Sequence, residues 1–433
     1  MRRVLFVTYY FPPAGGIGVQ RPLRWIRLLP EFGWEPIVLA PRDADYPLRD
    51  PALEQEIPPG LVVVRTPIFE PYALYRRWRG GGASPADTAG YTRAAREKLP
   101  WRDRIAEAVR STLFIPDARI GWKRPAVRAG LAAIAKHRPE AIISSAPPYT
   151  THLIGRALHR RSRLPWVADF RDSWIGWHST PRRPFPASLI DRALERSVTT
   201  GADLVVAASR GVREDLLSRA GRGRFEVIYN GYDTPVPPPR IPGGTLVITY
   251  TGTLFPNTPP WPLLDALETL VRERPELAGR VRVRFVGRIS AEVDARLASE
   301  RYRALVERVG FVDHDETLRL QAESDVLLLL LDEELVRAGV MTGKLFEYFG
   351  ARRPVLAIAA EGEAASLVRE ANAGIVAAPE PRAVREALEA LVAAWRDGRL
   401  ARWPFREEIV RRFHRREQVR TLAGWLDEIA PPR

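Results

Sequence analysis

Residues 225–254 read FEVIYNGYDTPVPPPRIPGGTLVITYTGTL. The stretch opens on a short apolar run of strand length, passes through clustered Pro and Gly with no apolar period, and resumes with LVITYTG, a second apolar strand run. It reads as a connection between two bodies. The chain has 433 residues, whereas single cores stop growing near ~250 to 300 residues. Two domains are therefore expected: residues 1–235, a linker at 236–244, residues 245–410, and a C-terminal helical segment at 411–433.

Outward from the connection, both halves alternate apolar strands with helical patterns. Before it come VLFVTYY, a helix from about Gln20 to Phe32, EPIVLAP, EAIISSA, a helix around His152 to Arg161, PWVADF, a helix from about Ala187 to Thr200, and DLVVAAS. After it come a helix from Pro262 to Glu273, VRVRFVG, VERVGFV, a helix from His314 to Glu323, DVLLLLL, a helix starting near Gly343, PVLAIAA and AGIVAA. Strands apolar throughout and separated by helices imply parallel sheets covered on both faces, so the fold class is α/β with two doubly wound, Rossmann-like domains. Arg42 to Gly121 is less legible: VVVRTP reads as a strand, RGGGASPADTAG as a loop, and WRDRIAEAVRSTLF as a helix with a basic face, either core-packed or lying on a membrane surface.

Composition narrows the function classes. No run approaches the ~20 apolar residues that span a bilayer, and MRRVLFVTYYFPP is expected to be a buried first strand rather than a signal peptide, because Tyr9, Tyr10 and Pro12 interrupt it. A cytoplasmic location is the expectation. Cysteine is absent, which excludes disulfides, thiolate metal sites and Cys nucleophiles. The net charge is +14, nearly all of it Arg, since the lysines are only Lys98, Lys123, Lys136 and Lys344. A basic surface favours anionic partners such as nucleotide diphosphates or acidic headgroups, and an Arg-rich solvated surface explains most of it without any partner. No aromatic-basic strand motif or recognition helix points to nucleic acid, and none is expected as a partner.

Four segments carry candidate chemistry. In YYFPPAGGIGVQR, Gly15, Gly16 and Gly18 turn the backbone ahead of a helix whose bare N–H groups suit a phosphate, although a tight connection alone needs no ligand. His152, in a helix after a double proline, reads as structural. In PWVADFRDSW a buried strand runs into Asp169, Arg171 and Asp172, at the strand end where open α/β sheets hold ligands; the alternative is an Arg–Asp pair closing a loop. In MTGKLFEYFG, Thr342 and Gly343 read as a helix cap, and Lys344 sits in the first turn, where a cation opposes the helix dipole unless an anion is nearby. A diphosphate is the expected anion. Glu347 lies one turn on, within reach of a sugar hydroxyl; a solvent-facing Lys/Glu pair is the alternative. No D-x-D or His-rich ligand set stands out, and no metal is expected.

Together these residues resemble the GT-B glycosyltransferases of family 4. The resemblance rests on the glycine turn after the first strand, VIYNGYD, YTGTL, GFVDHDETLRLQAESDVLLLL and GKLFEYFGARRPVLA, and it runs along nearly the whole chain. It implies two domains facing a cleft, with a last helix returning to the N-terminal domain and closure that excludes water. It implies a nucleotide-diphosphate sugar as donor substrate, no required cofactor, and transfer with retention to a glycan or lipid-linked acceptor. Cell-envelope polysaccharide or glycolipid assembly is the implied setting, at the inner face of the membrane.

By the same resemblance, Gly16 would approach the donor phosphates, the backbone near Val312 would meet the base, and Lys344 with the Thr342 and Gly343 amides would meet the diphosphate. Glu347 would bind the donor ribose, as the second glutamate of an E-x7-E motif whose first position is Gly339 here, with Asp332, Glu333 or Glu334 as substitutes for the missing contact. Gly252 and Thr253 stand where many relatives carry a basic pair, leaving the phosphates more dependent on Lys344. A frequent active-site His is replaced by Arg171, flanked by Asp169 and Asp172. The expectation is that Asp172 or Asp169 orients the acceptor hydroxyl while Arg171 stabilises the leaving diphosphate. The rival readings are a GT-B sugar-nucleotide epimerase and a nucleotide-binding scaffold that has lost catalysis.

Overall fold

A computed structural model describes residues 1–70, 112, 114–176, 183–233, 244–333, 336, 339 and 341–431. The expected loop at 79–90, most of the expected basic helix at 101–114, and nearly all of the expected linker lie outside the described residues, as does Glu334. The chain divides into two compact units, Met1–Tyr229 with Gln418–Arg433, and Asn230–Glu417.

The first unit carries strands β1 (Arg2–Thr8), β2 (Trp34–Arg42), β3 (Val62–Pro67), β4 (Ala141–Ala146), β5 (Trp166–Phe170), β6 (Leu204–Ala207) and β7 (Phe225–Val227). They form one sheet in the order β3-β2-β1-β4-β5-β6-β7, and every pairing is parallel. Val4 to Val7 of β1 are fully buried, as the unbroken apolar run requires of a central strand covered on both faces. Helices α1 (Ile17–Leu28), α2 (Lys123–His137) and α3 (Thr150–Ser162) follow β1, β3 and β4. The helix predicted to end near Phe32 stops as an α-helix at Leu28 and continues as a 3-10 turn over Leu29–Phe32, with Pro30 inside it and Gly33 closing it in the left-handed region.

The second unit carries β8 (Leu246–Thr251), β9 (Val281–Val286), β10 (Val306–Gly310), β11 (Val326–Leu330), β12 (Val355–Ile358) and β13 (Gly374–Ala377). Their order is β10-β9-β8-β11-β12-β13, again all parallel. Helices α4 (Trp261–Glu273), α5 (His314–Ala322), α6 (Gly343–Ala351) and α7 (Pro381–Arg396) cover it. In both sheets the first strand sits between its second and its fourth, and the direction of winding reverses there. Such a switch point opens a crevice at the carboxyl ends of the strands.

The last helix, α8, spans Arg415–Ile429. Val419, Leu422, Ala423 and Leu426 are buried in the core of the first unit, and Asp427 takes hydrogen bonds from Arg2 and from the Trp34 indole. Burying Val419, Leu422 and Leu426 contributes ~1.5 to 3 kcal/mol each, which fastens the helix to this unit.

Candidate functional site

At the switch point of the first sheet, β1 ends at Thr8 and the chain turns through Gly16, whose φ of 81° places it in the left-handed region at the cap of α1. Arg171, just past β5, stitches this turn to its neighbour. Its guanidinium donates to the carbonyls of Gly18, Pro147 and Ala146, and its charge lies 5.6 Å from the centroid of the Tyr10 ring. Burial pulls its pKa down, and Asp172 and Asp169 partly oppose that pull.

Asp169 departs from the expectation of a cleft-facing carboxylate. It is 0% exposed, receives Arg21 at 2.7 Å and the Ser145 hydroxyl at 2.7 Å, while Arg21 also donates to the Ile228 and Tyr229 carbonyls. A strand on the inside of a parallel sheet keeps its last side chains in the core, so the carboxylate is neutralised by an arginine from α1 rather than by solvent. Asp172, by contrast, is half-buried, and no hydrogen bond from the described residues reaches its carboxylate. Burial pushes its pKa up to about 6, Arg171 works against the rise, and Asp169 adds to it. Of the three candidates, Asp172 is the one with lone pairs to spare.

His152 lies in α3. It is 0% exposed, its Nδ1 shares a 2.8 Å hydrogen bond with the Ser144 hydroxyl, and burial, with Arg171 adding, drives its pKa down to about 3.

The second switch point brings together more of the expected residues. Thr342 caps α6, its hydroxyl accepting from the Lys344 amide at 3.4 Å. Lys344, in the first turn, reaches back to β8: Nζ donates to the Tyr250 hydroxyl at 2.7 Å and stands 4.1 Å from that ring's centroid. Burial lowers the ammonium pKa to about 8, and Glu347 opposes the drop. Glu347 accepts from Gln321 Nε2 at 3.4 Å, and the same nitrogen donates to the Thr251 hydroxyl at 3.1 Å. The Gln321 Oε1 is buried without a partner.

Gly252 leaves β8 with φ 111°, and a Cβ there would come within 2.5 Å of Lys344 Cε. Its neighbour Gly287, at the end of β9 with φ 124°, would put a Cβ 2.4 Å from the Gly252 oxygen. Bare backbone at these two positions makes room for the lysine and keeps the strand ends close. The Thr253 carbonyl accepts from Tyr250 at 2.9 Å, so the tyrosine ties the turn to the lysine. Val312 follows β10 and is half-buried; β9 lies between it and β8, a lateral separation on the order of 10 Å at two strand spacings. Gly339, at the first position of the interrupted E-x7-E motif, has φ 69°, a conformation that opposes a glutamate there. Asp332 accepts from Asn257 at 2.8 Å, and Glu333 is exposed.

Sequence reading missed Tyr250, Gln321 and Tyr348. Tyr348 accepts from the Thr251 amide at 3.2 Å and donates to the Leu328 carbonyl at 3.2 Å. All three sit inside ordinary strand or helix patterns, and only their long-range contacts distinguish them. Among the described residues no group of three or more His, Asp or Glu could hold a metal ion, and no helix is long and apolar enough to cross a membrane.

Known families match in two consecutive pieces. The model of Glycosyltransferase Family 4 matches residues 22–235, and that of Glycosyl transferases group 1 matches residues 245–394. No curated protein matches the sequence. Among solved structures, a glycosyltransferase from Rickettsia africae ESF-5 is similar at 14% identity and TM-score 0.62, covering 100% of this chain and 99% of its own. A sucrose-phosphate synthase from Thermosynechococcus elongatus is similar at 15% identity and TM-score 0.57, covering 99% and 96%. A putative UDP-N-acetylglucosamine 2-epimerase from Listeria monocytogenes is similar at 13% identity and TM-score 0.54, covering 98% and 96%. At these identities the likeness shows the fold.

Proposed function

We propose that this chain, which belongs to the GT-B glycosyltransferases of family 4 type, transfers a sugar from a nucleotide-diphosphate donor to a glycan or lipid-linked acceptor. The observation that carries the donor site is Lys344: a largely shielded cation in the first turn of α6, at the switch point of the second sheet, resting on a tyrosine. A cation at a helix N-terminus opposes the dipole, and a diphosphate there satisfies both the ammonium and the free amides of α6. In this reading the Thr342 and Gly343 amides share the phosphates, the Gly252–Thr253 turn borders them, Glu347 takes the ribose hydroxyls and the backbone at Val312 takes the base.

The first unit is assigned the acceptor. Asp172 orients the acceptor hydroxyl, and Arg171 keeps the turn that carries it. As the bond from the anomeric carbon to the diphosphate oxygen breaks, the acceptor oxygen bonds to that carbon on the same face. That same-face approach retains configuration, and the hydroxyl proton leaves with the departing phosphate oxygen. The reaction belongs to cell-envelope polysaccharide or glycolipid synthesis in the cytoplasm, at the inner face of the membrane.

A second reading, a nucleotide-binding scaffold without turnover, is favoured by the burial of Asp169 and by the commitment of Arg171 to three backbone carbonyls. Thermal stabilisation against nucleoside diphosphates and nucleotide sugars tests the donor site: saturation at a hundred times Kd adds ~2.7 kcal/mol, and Lys344→Ala and Glu347→Ala should abolish the shift. Binding without slow donor hydrolysis or transfer would favour the scaffold. Rapid conversion of the sugar nucleotide with no acceptor present would indicate an epimerase. No shift with any nucleotide would remove the donor-site assignment.

A further inference from the structure

A chain of hydrogen bonds in the second unit begins on a backbone carbonyl and ends on Glu347. The Leu328 carbonyl of β11 can only accept, so the Tyr348 hydroxyl gives it its single proton, at 3.2 Å. The tyrosine oxygen is then an acceptor, from the Thr251 amide at 3.2 Å and from the Thr251 hydroxyl at 3.3 Å. With its own proton directed there, the Thr251 oxygen accepts from Gln321, whose Nε2 stands 3.1 Å away. These directions fix the carboxamide. Nitrogen, not oxygen, faces Thr251, and the same nitrogen brings its second hydrogen to Glu347 Oε2 at 3.4 Å. The links come from four elements, β11, α6, β8 and α5.

The amide is unfavourable as packing. Gln321 is 0% exposed, and its Oε1 is buried with no partner, where an apolar side chain of the same length would leave nothing unsatisfied. What the amide adds is the hold on Glu347. That residue is half-buried, and among the described residues no hydrogen bond reaches its Oε1. We propose that Gln321 is a positioning residue: it fixes Glu347 by one carboxylate oxygen, leaves the other to accept a hydroxyl of the donor ribose, and so sets the preference of the site for ribonucleotides. A carboxylate already held by a second side chain loses less rotamer freedom when the hydroxyl arrives.

The inference rests on the donor-site reading given above, and one experiment separates the two. The full chain is titrated calorimetrically with uridine, adenosine and guanosine diphosphates, each beside its 2′,3′-dideoxy form. For the nucleotide that binds, the parent should prefer the ribose form about tenfold or more, as the loss of a hydrogen bond to a charged group implies. Gln321→Met keeps the length of the side chain and removes the donor. It should bring the two affinities to within about threefold by weakening the ribose form, with the dideoxy affinity and the melting temperature held. Thr251→Val, one link further back, should move the ratio the same way and carries the test if the methionine variant does not fold. Variants as selective as the parent, or an equal loss of both nucleotides, would overturn the positioning role and leave the donor site standing. A parent that binds both forms alike would remove Glu347 from the ribose and this inference with it, whereas a parent that binds no nucleotide would remove the donor site itself.

Discussion

The Lys344 ammonium donates to the Tyr250 hydroxyl at 2.7 Å and stands 4.1 Å from the centre of the same ring. A tyrosine on the first strand of the second sheet thus holds the cation at the start of α6 before any anion arrives. Tyr250→Phe keeps the ring and removes the hydroxyl, so the lysine loses one partner and the Gly252–Thr253 turn loses its tie. Nucleoside diphosphate affinity should fall by no more than about tenfold, ~1.4 kcal/mol, while Lys344→Ala should lower it further. Calorimetric titration of both variants measures the difference; equal losses would show that the hydroxyl, not the charge, binds.

The same lysine sets a pH dependence. Burial lowers its pKa to about 8 in the free protein, and a bound diphosphate favours the protonated form and raises it. Binding above pH 8 should therefore take up a proton, with affinity falling by up to about tenfold per pH unit. Lys344→Arg, which keeps its charge throughout, should flatten the profile. Titrations in buffers of different ionisation enthalpy read the proton uptake directly.

Gly287→Ala should damage the second unit more than a surface change does. The residue sits at φ 124°, and its new Cβ would lie 2.4 Å from the Gly252 oxygen. Backbone, not a flexible side-chain end, would have to move, at a cost of ~1 to 3 kcal/mol. Denaturant unfolding should show that loss, with weaker nucleotide binding in whatever protein remains folded. Gly279→Ala, where φ is 72° but nothing lies within 4 Å, serves as the comparison for conformational strain alone.

The buried pair Arg21–Asp169 predicts a stability effect separate from turnover. Asp169→Asn leaves the arginine charge buried and unmatched and should cost ~3 to 5 kcal/mol. The double variant Arg21→Met with Asp169→Leu should lose less than the two single changes summed. Urea midpoints of the four proteins give the coupling.

Acid should weaken the first unit through His152. Its folded pKa of about 3 lies below the ordinary ~6.5 of an unfolded histidine, so between these values the unfolded chain binds more protons. The contribution is complete above the unfolded value and is lost as pH falls from there toward the folded one, by up to ~1.4 kcal/mol per unit. His152→Gln should flatten this part of the stability profile, whatever it does to stability at neutral pH.

The sequence by itself determined the α/β class, the two parallel sheets and the chemical character of the α6 start. Those follow from patterns that are local in the chain: short unbroken apolar runs alternating with helical periods read as strands covered on both faces, and Lys344, next to the cap residues Thr342 and Gly343, shows its misfit to a helix dipole without coordinates. Tertiary structure decided which charges are spent and which are available. Asp169 and Asp172 are three positions apart in PWVADFRDSW and look alike on paper, yet one meets Arg21 from α1 inside the core and the carboxylate of the other accepts no hydrogen bond from the described residues. The roles of Tyr250 and Gln321 were likewise out of reach, because they arise from contacts between residues 26 to 94 positions apart, and no local period records which side chains a folded sheet will bring together.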